Sequence, residues 1–357
     1  MDLLSVEKYL KSLSLPPFRY RQIVKNYFSG RYFSFSQMTD LPLGLRSVLD
    51  QNFSLLSVKE TNLLTTSDSQ KALLSLGDGQ KIETVLLDYH DWLSVCASTQ
   101  VGCPLGCKFC ATGKMGFIRN LTSEEIIDQI IYWKHFLSLL EKVPRSPEGR
   151  EAATCLANRR EPRGIEKRVG RIAFMGMGEP FLNWDNLINA LNLIKSKNGL
   201  NLGARKISIS TAGIIPKIYD FADLNTEINL AISIHSAIQS TRESLMPIAA
   251  TYHLPELIKS LHYYTQKTRR QIFLEYAPIA DTNDSPKEID ALIKLLLSDK
   301  LFFLNLIPLN SVKGGLTPST KINKIEKQLK ESGANYSLRH SLGQSINSAC
   351  GQLIVNG

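Results

Sequence analysis

No apolar run in this chain is long enough to cross a bilayer, and the first residues, Met1-Asp-Leu-Leu-Ser-Val-Glu-Lys, carry an acid where a signal peptide has its basic segment. A soluble, cytoplasmic protein with no membrane partner is therefore expected. Cysteine is sparse, six in 357 residues with three of them clustered, which is not the disulfide framework of a secreted domain. The clustered three also lack a second cysteine pair, so a closed four-ligand structural zinc site has no obvious completion. Acidic side chains fall short of basic ones, 33 against 42, and the resulting charge of +9 favours a polyanionic partner. The length is enough for a full core and more than one domain.

What the sequence does have is the loop Val101-Gly-Cys-Pro-Leu-Gly-Cys-Lys-Phe-Cys-Ala-Thr-Gly-Lys-Met115, which places Cys103, Cys107 and Cys110 close together with glycines between them. Thiolate ligates zinc and iron–sulfur clusters. Three thiolates without a fourth fit one four-iron cluster whose last iron is open to a small molecule, with Phe109 shielding it from water. A metal knuckle and three buried thiols are the alternatives at this point. The C-x3-C-x2-C spacing resembles the radical S-adenosylmethionine (SAM) superfamily, in which the open iron chelates SAM and delivers the electron that cleaves it.

Along the chain, Leu3 to Leu13 and Pro17 to Phe28 have apolar residues at helical spacing, the second with Arg19, Arg21 and Lys25 as a candidate phosphate-gripping face. Lys71 to Leu76 and Lys81 to Leu87 alternate around Asp78-Gly79, a hairpin signal that would leave Glu83 exposed. Leu93 to Ser98 reads as a strand feeding the cysteine loop, and Thr122-x-x-Glu125 as a capping box opening a helix to about Leu140. Strands then recur at Ile172–Met175, Lys206–Thr211, Ile228–Ile234, Ile272–Tyr276 and Phe302–Ile307, each followed by a helical pattern. Such alternation implies an α/β barrel or open sheet of parallel strands, with active residues at the strand C-termini. Small and polar residues do gather there. Gly176, Gly178 and Glu179 follow one strand, Ser210 and Ser233 close two others, His235 comes next, and Asn310 follows the last. They are candidates for a SAM cradle: glycines for close backbone approach, Glu179 for an amino group, and the short polar side chains for ribose or carboxylate oxygens. His235 on position alone reads more readily as a satisfied structural histidine than as a ligand.

Four segments taken together, Cys96 to Gly113, Met175-Gly-Met-Gly-Glu-Pro180, Ser233-Ile-His235 and Ala349-Cys-Gly-Gln-Leu353, resemble the RlmN/Cfr family of radical SAM RNA methyltransferases. The match spans nearly the whole chain and includes Phe18-Arg-x-x-Gln22 and Met38-Thr-Asp-Leu41. The resemblance implies a partial (βα)6 TIM-like barrel, and hence this division: residues 1–55 a helical RNA-binding domain, 56–90 a β-hairpin connector, 91–340 the barrel with a polar insertion at 144–170, and 341–357 a C-terminal loop. It further implies one [4Fe–4S] cluster on Cys103, Cys107 and Cys110, and SAM bound by Gly178, Glu179, Ser210, Ser233, Ile234, His235 and Asn310. One SAM would methylate Cys350. A second would be reduced to a radical that takes hydrogen from the new S-methyl group, so that the carbon adds to an adenine ring carbon too weakly nucleophilic for direct methylation. Cys96 would then resolve the protein–RNA adduct through a transient disulfide with Cys350, with Glu83 as proton acceptor.

Two stretches depart from the family pattern. Residues 144–170 form a longer polar connection with seven Arg or Lys between Arg145 and Arg168, and Cys155 in it has no family counterpart. Gly343-Gln-Ser-Ile-Asn-Ser-Ala-Cys350 lacks the acidic Gly-Asp-Asp-Ile-Asp of carbon-2 enzymes. The expected activity is methylation of carbon 2 of an adenine in 23S rRNA, with tRNA as a second substrate, a flavodoxin-like electron donor and a monomeric enzyme. The alternatives are a carbon-8 methyltransferase, a radical SAM enzyme on a non-RNA substrate, and a non-catalytic metal-knuckle RNA-binding protein.

Overall fold

The computed structural model describes residues 1–140, 168–310, 315–339 and 342–355. The chain opens with helices α1 (Leu3–Ser12), α2 (Pro17–Ser29) and α3 (Leu43–Asn52). Asp2 caps α1 by accepting the Ser5 N–H, Pro17 starts α2, and Gly30 ends it in the left-handed region at φ 69°. A Cβ on Gly30 would also come within 2.5 Å of the Lys134 side chain, so the helix end and its packing both need glycine. Arg21 and Lys25, one turn apart on α2, are exposed. Arg19 is half-buried instead, lying over Phe18 and bonding Gln22 and the Asp40 carbonyl. The expected basic face is thus two residues, not three.

Three antiparallel strands follow, β1 (Val58–Thr65), β2 (Ser69–Leu76) and β3 (Lys81–Asp88), then β4 (Leu93–Cys96). The ribbon β5 (Gln100–Gly102) and β6 (Phe117–Asn120) brackets the short α4 (Ala111–Lys114), and α5 (Ser123–Leu140) comes after it. The capping box at α5 is formed, with Thr122 and Glu125 each accepting the other's backbone N–H. The remaining strands are β7 (Val169–Phe174), β8 (Ile207–Thr211), β9 (Asn229–Ser233), β10 (Ile272–Tyr276), β11 (Phe302–Leu306) and β12 (Tyr336–Leu338). Helices α6 (Trp184–Lys195), α7 (Ile215–Asp223), α8 (Gln239–Leu245), α9 (Leu254–Thr268), α10 (Pro286–Leu297) and α11 (Ile322–Ser332) lie between them.

Ten strands make one sheet in the order β1-β2-β3-β4-β7-β8-β9-β10-β11-β12, and from β4 onward every neighbour is parallel. The edges β1 and β12 do not pair with each other. This is a partial barrel: parallel strands wrapped by crossover helices, open along one side, with its C-terminal strand ends gathered around one concavity. The expected core strands fall within two or three residues of their observed bounds. Strands β1 and β12 were not foreseen, and β2 and β3 depart from one-sided alternation because both of their faces are covered. Glu83 is accordingly buried, which corrects the exposure expected of it.

The helical segment meets the barrel at Asp128 of α5. This fully buried carboxylate accepts from the Met1 ammonium at 2.5 Å, the Tyr27 hydroxyl, and both the N–H and the hydroxyl of Ser57 at 2.6 and 2.7 Å. Four donors on two oxygens saturate it. Among the described residues no helix is long and apolar enough to cross a membrane. Of the insertion expected at 144–170, only 168–170 are described, and they lead into and begin β7; Cys155 lies outside the described residues.

Candidate active site

Backbone geometry sets the cysteine loop. Gly102, at φ 74°, lies against the Gly116 carbonyl, which a Cβ would approach to 1.9 Å, and that same carbonyl accepts the Cys103 N–H at 2.8 Å. The Cys110 N–H closes on the Cys107 carbonyl at 3.1 Å. Leu105, Ala212, Leu245, Met246 and Ile279 form an apolar wall against Cys103, Cys107 and Phe109. All three cysteines line a cavity of about 170 Å³.

Residues from successive strand ends face this cavity: Gly176, Gly178 and Glu179 after β7, Ser210 and Thr211 at the end of β8, Ser233 and His235 at the end of β9, and Asn310 after β11. Gly178 has φ 100°, and a Cβ there would meet the Gln100 side chain at 2.5 Å. Glu179 accepts the Phe181 N–H at 3.0 Å and the Ala212 N–H at 2.7 Å, with Thr211 as a third donor. A carboxylate has about four acceptor positions, so one remains for a ligand amine. Burial pushes this carboxyl up to about 7 against the pull of those donors. Ile234 differs from its neighbours. Its side chain is in the core, away from the cavity wall, and its N–H goes to the Glu275 carbonyl.

His235 is buried in the left-handed region at φ 50°, a conformation held by its surroundings. Its Nδ1 accepts the Ala277 N–H at 3.1 Å and Asn283 donates to its carbonyl at 2.6 Å, while its ring lies 4.3 Å from that of Phe109. Burial first, and the Arg242 charge second, lower its pKa to about 3. The ring is therefore neutral, with its proton on Nε2.

Two charged residues went unnoticed in the sequence, Glu275 in the cavity wall and Arg242 behind it, bonded to the Ala212 carbonyl. Glu275 of β10 receives the Ser210 hydroxyl at 2.5 Å and the Ser233 hydroxyl at 3.4 Å. A lone acid inside the apolar run of β10 was a signal available beforehand. Arg242 is fully buried; its Nη2 donates to the Ala212 carbonyl at 2.7 Å, while Nε and Nη1 have no partner among the described residues. Nothing local marks Arg242 out, since its α8 position reads as an ordinary helix residue.

Cys350 comes from the far end of the chain and lines the same cavity as the triad. Its residue is exposed to solvent, yet surrounding protein, then the Glu275 charge, raises its thiol. Asn310 donates to the Cys350 carbonyl at 3.1 Å, and the Ala111 N–H and Thr112 hydroxyl hold the carbonyls of Gly351 and Leu353 at 2.7 and 2.6 Å. Cys96 ends β4 next to Val85 of β3. Burial, then the nearness of Cys350, pushes its pKa up to about 12, and among the described residues both thiols are free. Glu83 stands outside the cavity wall, paired with Lys71 at 2.8 Å.

The donor set fits an iron–sulfur cluster. Burial raises Cys103 to about 12 and Cys107 higher still, because a thiolate there has no compensating charge, and a bound metal would supply one. The Arg242 guanidinium, bonded through Nη2 alone, lies close enough to Cys107 to balance an anionic group held there. Among the described residues no group of three or more His, Cys, Asp or Glu is arranged to hold a single metal ion.

No family model matches the chain. It is similar to two curated proteins, each named probable dual-specificity RNA methyltransferase RlmN. The one from Lysinibacillus sphaericus is 38% identical over 352 residues, which is 98% of this chain and 86% of the relative. The one from Bacillus velezensis is 38% identical over 356 residues, 99% of this chain and 91% of the relative. The crystal structure of a radical SAM methyltransferase from Sphaerobacter thermophilus superposes with a TM-score of 0.86 at 34% identity, covering 99% of this chain and 97% of that one.

Proposed function

This chain belongs to the RlmN family of RNA methyltransferases, and from that premise we propose that it methylates carbon 2 of an adenine in 23S rRNA and tRNA through a methyl group carried on Cys350. The observation that carries this reading is the shared cavity: Cys350, from the far end of the chain, lines it together with Cys103, Cys107 and Cys110.

In this proposal Cys103, Cys107 and Cys110 hold one [4Fe–4S] cluster, and SAM occupies the cavity beside Gly178, Glu179, Ser210, Ser233, His235 and Asn310. When bound, the cluster and SAM supply the electron and the hydrogen abstraction that an unactivated aromatic C–H requires. The chain's own residues do the rest. Glu179 offers its open acceptor position to the amino group of SAM, and neutral His235 presents Nε2–H as a donor. Apolar Leu105, Met246 and Ile279 exclude water from the triad. Cys350 carries the methyl group and becomes the link between protein and base. The adduct radical gives up one electron and its ring proton passes to Glu83; the Cys96 thiolate then attacks the Cys350 sulfur, so that a Cys96–Cys350 disulfide forms as the S–CH2 bond breaks, and the methylene carbon keeps that electron pair and takes a proton to become the methyl group. Residues 1–55, with Arg21 and Lys25 exposed, form the RNA-binding part. Residues 56–90 are its connector, 91–340 the catalytic barrel and 341–357 the carrier loop. The protein acts as a cytoplasmic monomer and takes electrons from an external flavodoxin-like donor.

The test is anaerobic incubation of iron-reconstituted protein with SAM, a reductant and unmodified 23S rRNA or tRNA, followed by nucleoside mass spectrometry. The expected product is 2-methyladenosine. 8-Methyladenosine would move the enzyme to the carbon-8 reaction, and no methylated adenine would overturn the proposal.

A further inference from the structure

The segment bearing Cys350 is held on two sides. One side is the triad's own helix α4, through Ala111 and Thr112. The other is the β2–β3 hairpin, and there the contacts converge on a single buried ion pair. Lys71 Nζ lies 2.8 Å from Glu83 Oε1 and also donates to the Asn347 carbonyl at 3.2 Å. Glu83 Oε2 accepts the Ile354 N–H at 2.9 Å. A buried pair is stable only when its remaining donors and acceptors find partners. Here the tail backbone supplies them, three residues before Cys350 and four after it.

The tail geometry matches this attachment. Asn347 is left-handed at φ 51°, and Gly343 and Gly351 are at φ 72° and 80°, so the segment turns sharply on either side of Cys350. A Cβ on Gly343 would strike the Ser348 and Ser69 hydroxyls at 1.8 and 2.7 Å, which packs the tail directly onto β2. The hairpin is also the neighbour of Cys96, since Val85 pairs with Cys96 two residues beyond Glu83.

We propose that Lys71 is a positioning residue: with Glu83 it forms a clasp that fixes the Cys350 segment by its backbone, over the cysteine triad and beside Cys96. This rests on the proposed methyl-carrying role of Cys350 and adds Lys71 to the residues that reaction requires. The Lys71 side chain does not line the cavity. It acts by setting where the carrier sulfur stands, and its pairing with an acid that also holds the tail makes the clasp fail as a unit if either charge is removed.

The clasp can be read without any cofactor. In metal-free full-length protein, Lys71→Met should raise hydrogen exchange at the amides of residues 348–355 by about 10-fold while leaving the parallel strands unchanged, and Lys71→Arg should restore protection. In the reconstituted enzyme, Lys71→Met should lower kcat by about 10-fold with KM for SAM and RNA within about 2-fold of wild type. If Lys71→Met is too unstable, the double variant Lys71→Met/Glu83→Met removes both charges together and should show the same local exchange. Unchanged exchange in the tail overturns the clasp. So does exchange that rises equally throughout the barrel, which would mark Lys71 as merely stabilising. Should wild-type enzyme methylate no RNA, the function fails, while the exchange data still decide the clasp.

Discussion

The rear junction at Asp128 and the front around the cysteine triad handle buried polar groups in opposite ways. At the rear, one carboxylate takes four donors from the first helices and from Ser57, and nothing is left over. At the front, Arg242 keeps two donors unpartnered, Glu179 keeps an acceptor position open and a pKa of about 7, and His235 is held in a left-handed backbone. The rear uses polarity to fix one segment on another. The front leaves polarity unsatisfied, as a binding site would, and the Lys71–Glu83 pair is buried like the first while its remaining atoms hold the Cys350 segment.

Breaking the rear should cost the most stability. Asp128→Ala strands a buried ammonium and the Tyr27 and Ser57 donors, and should lower stability by about 3–5 kcal/mol, read as a marked fall in the denaturation midpoint. An unchanged midpoint would remove the contrast. Front substitutions should show the reverse pattern. Glu179→Gln should weaken SAM binding by about 10-fold in calorimetry while changing thermal stability little, because the amide replaces a charge-assisted contact with a neutral one. Arg242→Met sharpens the point further: metal-free protein should be as stable as wild type or more so, since an unpaired buried charge is gone, while iron retained after reconstitution should fall about 2-fold or more. Loss of stability with unaltered iron would place Arg242 with the rear.

Smaller effects follow from pH and salt. The folded pKa of His235, about 3, lies below its ordinary 6.5, so its contribution to stability is present above 6.5 and is lost as pH falls toward 3. Melting of His235→Gln should therefore fall less steeply than wild type over that window. The smallest effect belongs to the exposed α2 face: Arg21→Glu with Lys25→Glu should weaken RNA binding several-fold at low salt, with the difference shrinking as salt rises.

What the sequence made legible follows the range of the interactions. Parallel core strands such as β10 are short, largely apolar runs, and their bounds are visible because burial on both faces leaves room for few polar residues. The triad and its glycines are local, as is the capping box at Thr122 and Glu125. The clasp joins residues 276 and 271 positions apart, and nothing near Lys71 signals a partner at Asn347 or near Glu83 one at Ile354. The exposure expected of Glu83 failed for the same reason, since the tail that covers it arrives from the other end of the chain. Strand β12 was missed because its three residues are only half-buried and carry little pattern. Glu275 was visible as a charge within an apolar strand, but its purpose needed Ser210 and Ser233 beside it.

The central claim is that Cys350 carries the transferred carbon and Cys96 releases it. Peptide mapping of Cys96→Ala after turnover with SAM and RNA tests this most directly. The account predicts RNA covalently attached to the peptide containing Cys350; free methylated RNA with an unmodified Cys350 peptide, or attachment at another residue, would contradict it.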